Sequence, residues 1–413
     1  MKFRIKFLIV IFLLFTLIIV SKILKNQLVN NEYPMFLEYS YVKIENLIVQ
    51  NPLKDDFQNE KTNIKEFFKF HQKNLCSITP RISFNQVRAE SGYANRLFSV
   101  LSSLLVSILT DSAIIVFWPH INYFIKPPIN IFLNCSSLIP EPKSSKLQVY
   151  TLKAHQAWLL KKDIHLLQNT KIPTNVSRFY YKSIEAQFME LCMNPLYFPK
   201  LLYYDLVSDE AILMEKQNKF SIGFFVGGQL LNKLWLPNED LNRKIQIYLS
   251  KYFAQNFVIG IQLRFGDEDL PYLKEEIDTI KFINCAIKIE TAYIEKAFNK
   301  LANVKWFISS DSQVNLDILL KKYSSKAFST QGTLAHISLD PNGYERTIID
   351  HELLSKVDEL IITGASTFGF TASMKSKRLP YYIDGFYSKK RHRECSRVNL
   401  SDSPQTPLGF GLF

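Results

Sequence analysis

The chain has no internal repeat and no long low-complexity tract, which excludes repeat architectures. It also lacks zinc-finger spacing, a basic zipper and an RNA-binding aromatic signature. Its net charge of +12 is therefore no pointer to nucleic acid. The five cysteines, Cys76, Cys135, Cys192, Cys285 and Cys395, show no metal-ligand spacing. Their odd count means that, in an oxidising compartment, at least one is free or pairs with another chain. Residues 25 to 80 contain no glycine and little sustained apolar periodicity, and read as a spacer, with an N-terminal helical extension as the alternative. Disorder is excluded for the bulk of the chain. Hydrophobic residues make up 47% and aromatics 14%, enough for a large core. A length of 413 residues leaves room for about two domains. The excess of positive charge suits a nucleotide pyrophosphate or an anionic membrane surface. The clusters Lys375, Lys377, Arg378 and Lys389, Lys390, Arg391, Arg393 read as solvated basic surface.

The first two dozen residues carry the clearest pattern. Lys2, Arg4 and Lys6 precede an apolar run from Phe7 to Val20, extended by Ile23 and Leu24. As a helix, Phe7 to Leu24 spans about 27 Å, enough for a thin bilayer. Positive charge ahead of it keeps the N-terminus cytosolic and the remainder lumenal. No small-x-small cleavage pattern follows the run, so an uncleaved anchor is expected rather than a signal peptide. Asn134, Asn175 and Asn399 sit in N-x-S acceptor sites and permit a lumenal location.

From about residue 81 the pattern turns α/β. Leu97 to Thr110 reads as a long apolar helix and Ser112 to Trp118 as a buried strand. Ser177 to Met193 and Leu241 to Phe253 have helical spacing, and Phe257 to Leu263 reads as a strand. The C-terminal third alternates: strands are expected at Val304 to Ser309, Lys326 to Phe328, Glu359 to Thr363 and Leu379 to Ile383. Helices are expected between them at Val314 to Tyr323, Tyr344 to Lys356 and Thr367 to Lys375. Such alternation argues for doubly wound parallel sheets, whose ligands bind beyond the carboxyl ends of strands.

The residues at those ends are the candidates. Arg264 closes the strand at 258–263 and is followed by Gly266, Asp267, Glu268 and Asp269. Its guanidinium can clamp a phosphate through two parallel hydrogen bonds, or pair with Asp267 at the surface. Thr363, Gly364, Ala365, Ser366, Thr367, Phe368 and Gly369 follow another strand and begin a helix, where small residues and free N–H groups favour an anion. Asp311 follows a third strand, and Asp350 lies in the helix before the strand that ends at Thr363. Each can contact a base or ribose, cap a helix or face solvent. Gly92, Asn95 and Arg96 form a turn at the start of the helix from Leu97.

Together these segments resemble the plant xyloglucan α-1,2-fucosyltransferase family. The Gly92–Tyr93–Ala94–Asn95–Arg96 turn, helix and apolar strand resemble its Gly-x-Gly-Asn-Arg opening, with Ala94 in place of the second glycine. Gly227 to Pro237 resembles its "GRYLFHP" region, and Gly260 to Arg264 its "GIQIR". Asp350 to Phe370 is similar to its last motif. Related α-1,6-fucosyltransferases carry two arginines where this chain has Arg264 and Phe265. The resemblance implies two facing Rossmann-like domains (GT-B), 81–255 on the acceptor side and 256–400 for the donor. These would stand behind a cytosolic tail (1–6), a transmembrane anchor (7–24) and a stem (25–80), with a tail at 401–413. It further implies inverting transfer of fucose from GDP-fucose to a glycan hydroxyl, α-1,2 to galactose, in the Golgi lumen, by a type II membrane protein that needs no metal. Arg264 would hold the β-phosphate, with Thr363, Ser366, Thr367 and Phe368 around the pyrophosphate. Asp311 and Asp350 would contact the nucleoside or orient Arg264. Gly92, Asn95 and Arg96 would line the cleft. Asp267 and Glu268 are the candidate bases. A homodimer is possible. Alternatives are a transferase for another nucleotide sugar and a non-catalytic glycan binder.

Overall fold

The computed structural model describes residues 64–75, 82–86, 91–132, 149–153, 178–182, 187–216, 222–267, 270–271, 275–296, 303–334, 343–364, 366–383 and 395–397. All of these lie in one compact unit formed by Pro52–Leu138 and Gln148–Phe413. The expected anchor at 7–24, Glu268 and the acceptor sites at Asn134, Asn175 and Asn399 lie outside the described residues.

Two parallel sheets organise the unit. The first is built from β1 (Ile82–Gln86), β2 (Ala113–Phe117), β3 (Val149–Lys153) and β4 (Arg178–Lys182), in the order β2-β1-β4-β3. Ahead of it lies α1 (Lys65–Asn74). α2 (Tyr93–Thr110) joins β1 to β2. Then come α3 (Gln187–Cys192), α4 (Phe198–Tyr203), α5 (Asp209–Lys216), α6 (Ile222–Leu234) and α7 (Glu239–Tyr248), the last continued by a π turn at Leu249–Phe253.

The second sheet contains β5 (Phe257–Leu263), followed by the small hairpin β6 (Gly266–Asp267) and β7 (Leu270–Pro271), then α8 (Glu275–Lys296) and β8 (Val304–Ser310). It continues through α9 (Gln313–Lys322), β9 (Ala327–Phe328), α10 (Gly343–Leu354), β10 (Glu359–Thr363), α11 (Thr367–Ser376), β11 (Tyr381–Ile383) and β12 (Ser396–Arg397). Its order is β12-β11-β10-β5-β8-β9, parallel throughout except for β12. Counting its parallel strands in chain order gives 3-2-1-4-5, the doubly wound arrangement. The order reverses between β5 and β10, so the crevice at the carboxyl ends of those two strands is where a ligand is expected.

Three sequence expectations need correction. Ser177 to Met193 is a helix only at its end, because Arg178–Lys182 enters the first sheet between β1 and β3. Aromatic Phe179, Tyr180 and Tyr181 suit a pleated sheet better than a helix. The stem boundary at residue 80 falls too late: Phe67 and His71 of α1 are buried, and the His71 ring bonds the Ile114 carbonyl at 2.9 Å. The 22-residue α8 was not foreseen. It buries Phe282, Ile283, Cys285, Ala286 and Ile289 but leaves Ile280, Ile287 and Ile294 exposed, which blurs the apolar period. Cys395 forms a disulfide with Cys285 of α8, and Cys192 is fully buried.

α2 is long and apolar enough to cross a membrane, yet it is 94% buried and serves as a core helix. Three of its hydroxyls are satisfied locally: Ser102, Ser103 and Thr110 donate to the carbonyls of Phe98, Ser99 and Val106, whereas Ser107 Oγ is buried without a partner. Against it and α6 packs α11, which links the second sheet to the first. Lys375 of α11 is only 5% exposed, and ion-pairs with buried Glu352 of α10. Its ammonium also donates to the Trp235 carbonyl at 3.1 Å. Lys375 therefore leaves the expected basic surface, while Lys377 and Arg378 remain exposed. The charge is tolerated inside because the carboxylate and carbonyl replace its water.

The contact between α6 and α11 depends on glycine. A Cβ on Gly228 would collide with the Met374 carbonyl oxygen, a backbone atom that cannot swing aside. Asn232 closes the same contact by donating to the Lys375 carbonyl at 2.7 Å. Gly228→Ala is expected to destabilise the protein by about 1–3 kcal/mol, the usual cost of overpacking, measured as a fall in the urea midpoint at unchanged slope.

Candidate active site

The strand β5 ends in the crevice at Leu263, and Arg264 follows directly. Its position is set by groups from the two neighbouring strands. On one side, Thr363 at the end of β10 accepts from the Arg264 backbone N–H at 2.9 Å and donates to the Gln262 carbonyl at 3.0 Å. On the other, Asp311 directly follows β8. Its Oδ2 accepts from Arg264 Nη1 at 2.7 Å and from the Gly266 N–H at 2.9 Å, and its Oδ1 accepts from the Phe265 N–H at 2.8 Å. One carboxylate thus fixes both the guanidinium and the backbone of the loop that carries it. Arg264 and Asp311 keep 27% and 22% of their side chains exposed, so the pair is sheltered but open to the crevice. The surface pairing of Arg264 with Asp267 is replaced by this pairing with Asp311. Asp267 lies in β6, whose backbone alone is described.

Asp350 is placed differently. It is 3% exposed and its two oxygens accept from Ser309 Oγ at 2.9 Å and from the Thr330 hydroxyl. Burial pushes its carboxyl above the ordinary range, against the pull of Thr330, Arg346 and Ser309. In this arrangement Asp350 ties α10 to the ends of β8 and β9. A solvated face for Asp350 is thereby excluded.

The turn at Thr363–Gly369 is used more for packing than for access. Thr363 is fully buried against β5. A Cβ on Gly364 would stand 2.7 Å from the Tyr382 hydroxyl, and one on Gly369 2.6 Å from Ile362 and 2.8 Å from Gln262. These glycines let α11 and β11 close on the sheet, which corrects the reading that small residues here serve a ligand's approach. Ser366 is the N-cap residue of α11 and buried, but its hydroxyl makes no cap bond. That leaves the first N–H groups of a ten-residue helix without a side-chain cap, just beyond the carboxyl end of β10. Thr367 and Phe368 are half-buried in the first turn.

Across the crevice, Gly92 is the N-cap of α2 and Asn95 is half-buried in its first turn. Arg96 is 3% exposed, so it does not line an open cleft as expected. Its Nε donates to the Ser91 carbonyl and its Nη1 to the Tyr344 hydroxyl, both at 2.8 Å, and its guanidinium lies 5.6 Å from the Trp118 ring. Trp118 Nε1 also donates to the Tyr344 hydroxyl, at 2.9 Å. Tyr93 accepts from Trp235 Nε1 at 2.7 Å and packs against Trp118, His351 and Phe368. His351, fully buried, bonds Thr371 at 3.0 Å. Burial, and then the charge of Lys375, hold its imidazole well below the usual range, so it stays neutral. This aromatic girdle joins elements of both sheets. Sequence reasoning missed Trp118, Tyr344 and His351 as members, because their partners lie far along the chain. Among the described residues no group of three or more His, Cys, Asp and Glu is placed to hold a metal.

Asp311→Ala is expected to leave the Phe265 and Gly266 amides without their acceptor. Hydrogen–deuterium exchange should show local loss of protection there, with β5 and β8 still protected.

No protein-family model matches the sequence, and no curated protein does. Among solved structures the chain is similar to Arabidopsis thaliana FUT1, an arginine-to-lysine mutant in complex with GDP. The identity is 17%, with 80% of this chain and 78% of that one covered, at a TM-score of 0.51. It is also similar to the fucosyltransferase NodZ from Bradyrhizobium, at 13% identity and a TM-score of 0.46, covering 77% of this chain and 100% of that one. The first of these likenesses establishes a shared fold.

Proposed function

We propose that this chain is a fucosyltransferase that moves fucose from GDP-fucose to a glycan hydroxyl. The observation that carries this reading is the placement of Arg264, held by Asp311 and Thr363 at the reversal point of a 3-2-1-4-5 sheet. A fold shared with a GDP-bound FUT1 supports it, as do the motif resemblances around Arg264 and from Asp350 to Phe370. The finer reading is an inverting α-1,2 transfer to galactose, without a metal, in the Golgi lumen behind a type II anchor. The disulfide between Cys285 and Cys395 supports an oxidising compartment.

In this reading the diphosphate of the donor lies between Arg264 and the N-terminus of α11. The bond from the fucose anomeric carbon to the β-phosphate oxygen breaks, and its electron pair stays on that oxygen as charge grows on GDP. Arg264 and the first N–H groups of α11 stabilise that charge. The acceptor hydroxyl oxygen bonds the anomeric carbon from the opposite face, which inverts its configuration. The hydroxyl proton passes to a base, for which Asp267 and Glu268 are the candidates by position. A loose, oxocarbenium-like transition state needs little help from that base.

Arg264→Lys keeps the charge but loses the fork, and Arg264→Ala loses both. Both variants are expected to fold and to lose at least ~10²–10³ in kcat/KM, as seen when one donor to developing charge is removed. Near-wild-type transfer by a folded Arg264→Ala protein would remove the basis of the proposal. Because an arginine and backbone N–H groups supply the positive charge, EDTA should leave transfer largely intact. Loss of transfer with EDTA, restored by manganese, would show that a cation has that role.

A further inference from the structure

Arg346 stands in α10, one turn before Asp350, and is 4% exposed. Its Nη1 donates to the Gly332 carbonyl at 2.9 Å and to Gln313 Oε1 at 3.2 Å. Its Nε and Nη2 are buried and have no partner. Those two N–H groups form the side-on fork of a guanidinium, two parallel donors matched to two coplanar acceptors. A buried donor without an acceptor is costly, and here two neighbouring ones share one edge.

Position and charge restrict what that edge can take. Gln313 begins α9 just beyond β8, and Gly332 follows β9, so Arg346 lies on the β8–β9 side of the sheet. The diphosphate is expected at the β5–β10 crevice. In doubly wound sheets the nucleoside lies toward the second strand in chain order, here β8. Arg346 also has the Asp350 carboxylate as an electrostatic neighbour. A positive group already balanced by a buried negative one favours a neutral, polar edge over a second anion. Resting on the reading that the donor carries GDP, we propose that the Nε–Nη2 fork of Arg346 binds the O6 and N7 acceptors of the guanine base and thereby selects the nucleotide. Arginine paired with that edge of guanine is the commonest specific base contact of its kind. Adenine places a donor where guanine has O6, and uracil has no corresponding pair.

The test uses the full chain and measures binding of GDP, ADP and 7-deaza-GDP by calorimetry. Wild type should bind 7-deaza-GDP about tenfold more weakly than GDP, and ADP more weakly still. Arg346→Gln should bind GDP about 10- to 100-fold more weakly than wild type does, and should show no further loss with 7-deaza-GDP. Equal binding of GDP and 7-deaza-GDP by wild type would overturn the assignment, and that comparison does not depend on the variant folding. So would a folded Arg346→Gln protein that keeps the full gap between the two. A wild-type protein that binds another nucleotide but not GDP would overturn the donor reading along with this one, an outcome distinct from GDP binding without the gap.

Discussion

The Asp311 carboxylate gives Arg264 its direction. An arginine at the end of a strand has a long, flexible side chain, and losing that freedom when a ligand arrives costs free energy. Asp311 removes much of that freedom beforehand, since one oxygen holds Nη1 and both hold the backbone of the next two residues. Thr363 fixes the backbone of Arg264 itself. The three groups come from β5, β8 and β10, which are adjacent in the sheet. The geometry of the candidate site is thus inherited from the hydrogen-bond register of the sheet, and little of it depends on loops.

The aromatic girdle and the Lys375–Glu352 pair do a different job. They hold elements of the first sheet and of the second in one arrangement. The Tyr344 hydroxyl receives donors from Arg96 and Trp118. Lys375 reaches from α11 to the chain just after α6. A buried ion pair is poor evidence of net stability, because desolvation offsets much of its attraction. Breaking it by removing one partner leaves an uncompensated charge inside. Glycine at 228 permits the close approach of α6 and α11 that makes the Lys375 contact possible.

Legibility in the sequence followed burial. β5 and β10 were readable because a central parallel strand is buried on both faces and appears as an apolar run. The short β1, β3 and β4 mix polar and aromatic residues and do not read as strands, and the spacing around β4 reads as helical. Arg264, Asp311 and Thr363 could be found from the rule that ligands bind beyond strand ends. That rule does not say which of these residues faces the crevice and which supports it. Thr363 turned out to be a fully buried brace, and Arg96 a buried link to a tyrosine 248 residues away. No local pattern contains such a partner, so no spacing argument could have assigned it.

The contrast between Asp311 and Asp350 shows why strand-end position alone is not a role. Both are acidic, and both bond to residues at the carboxyl edge of the second sheet. Asp311 is partly exposed, and its partners are an arginine and two backbone N–H groups, so it shapes the crevice. Asp350 is enclosed by two hydroxyls, with its carboxyl pushed up by burial. The Thr330 hydroxyl, Arg346 one turn earlier in the same helix, and the Ser309 hydroxyl all pull against that rise. Arg346 in turn is anchored through Nη1 alone, which leaves its side-on fork whole. One sheet edge therefore carries a partly exposed ion pair, Arg264 with Asp311, and a buried arginine one turn from a buried carboxylate. The first suits a group whose charge grows during reaction, and the unpartnered fork of the second suits recognition of a neutral edge that does not change.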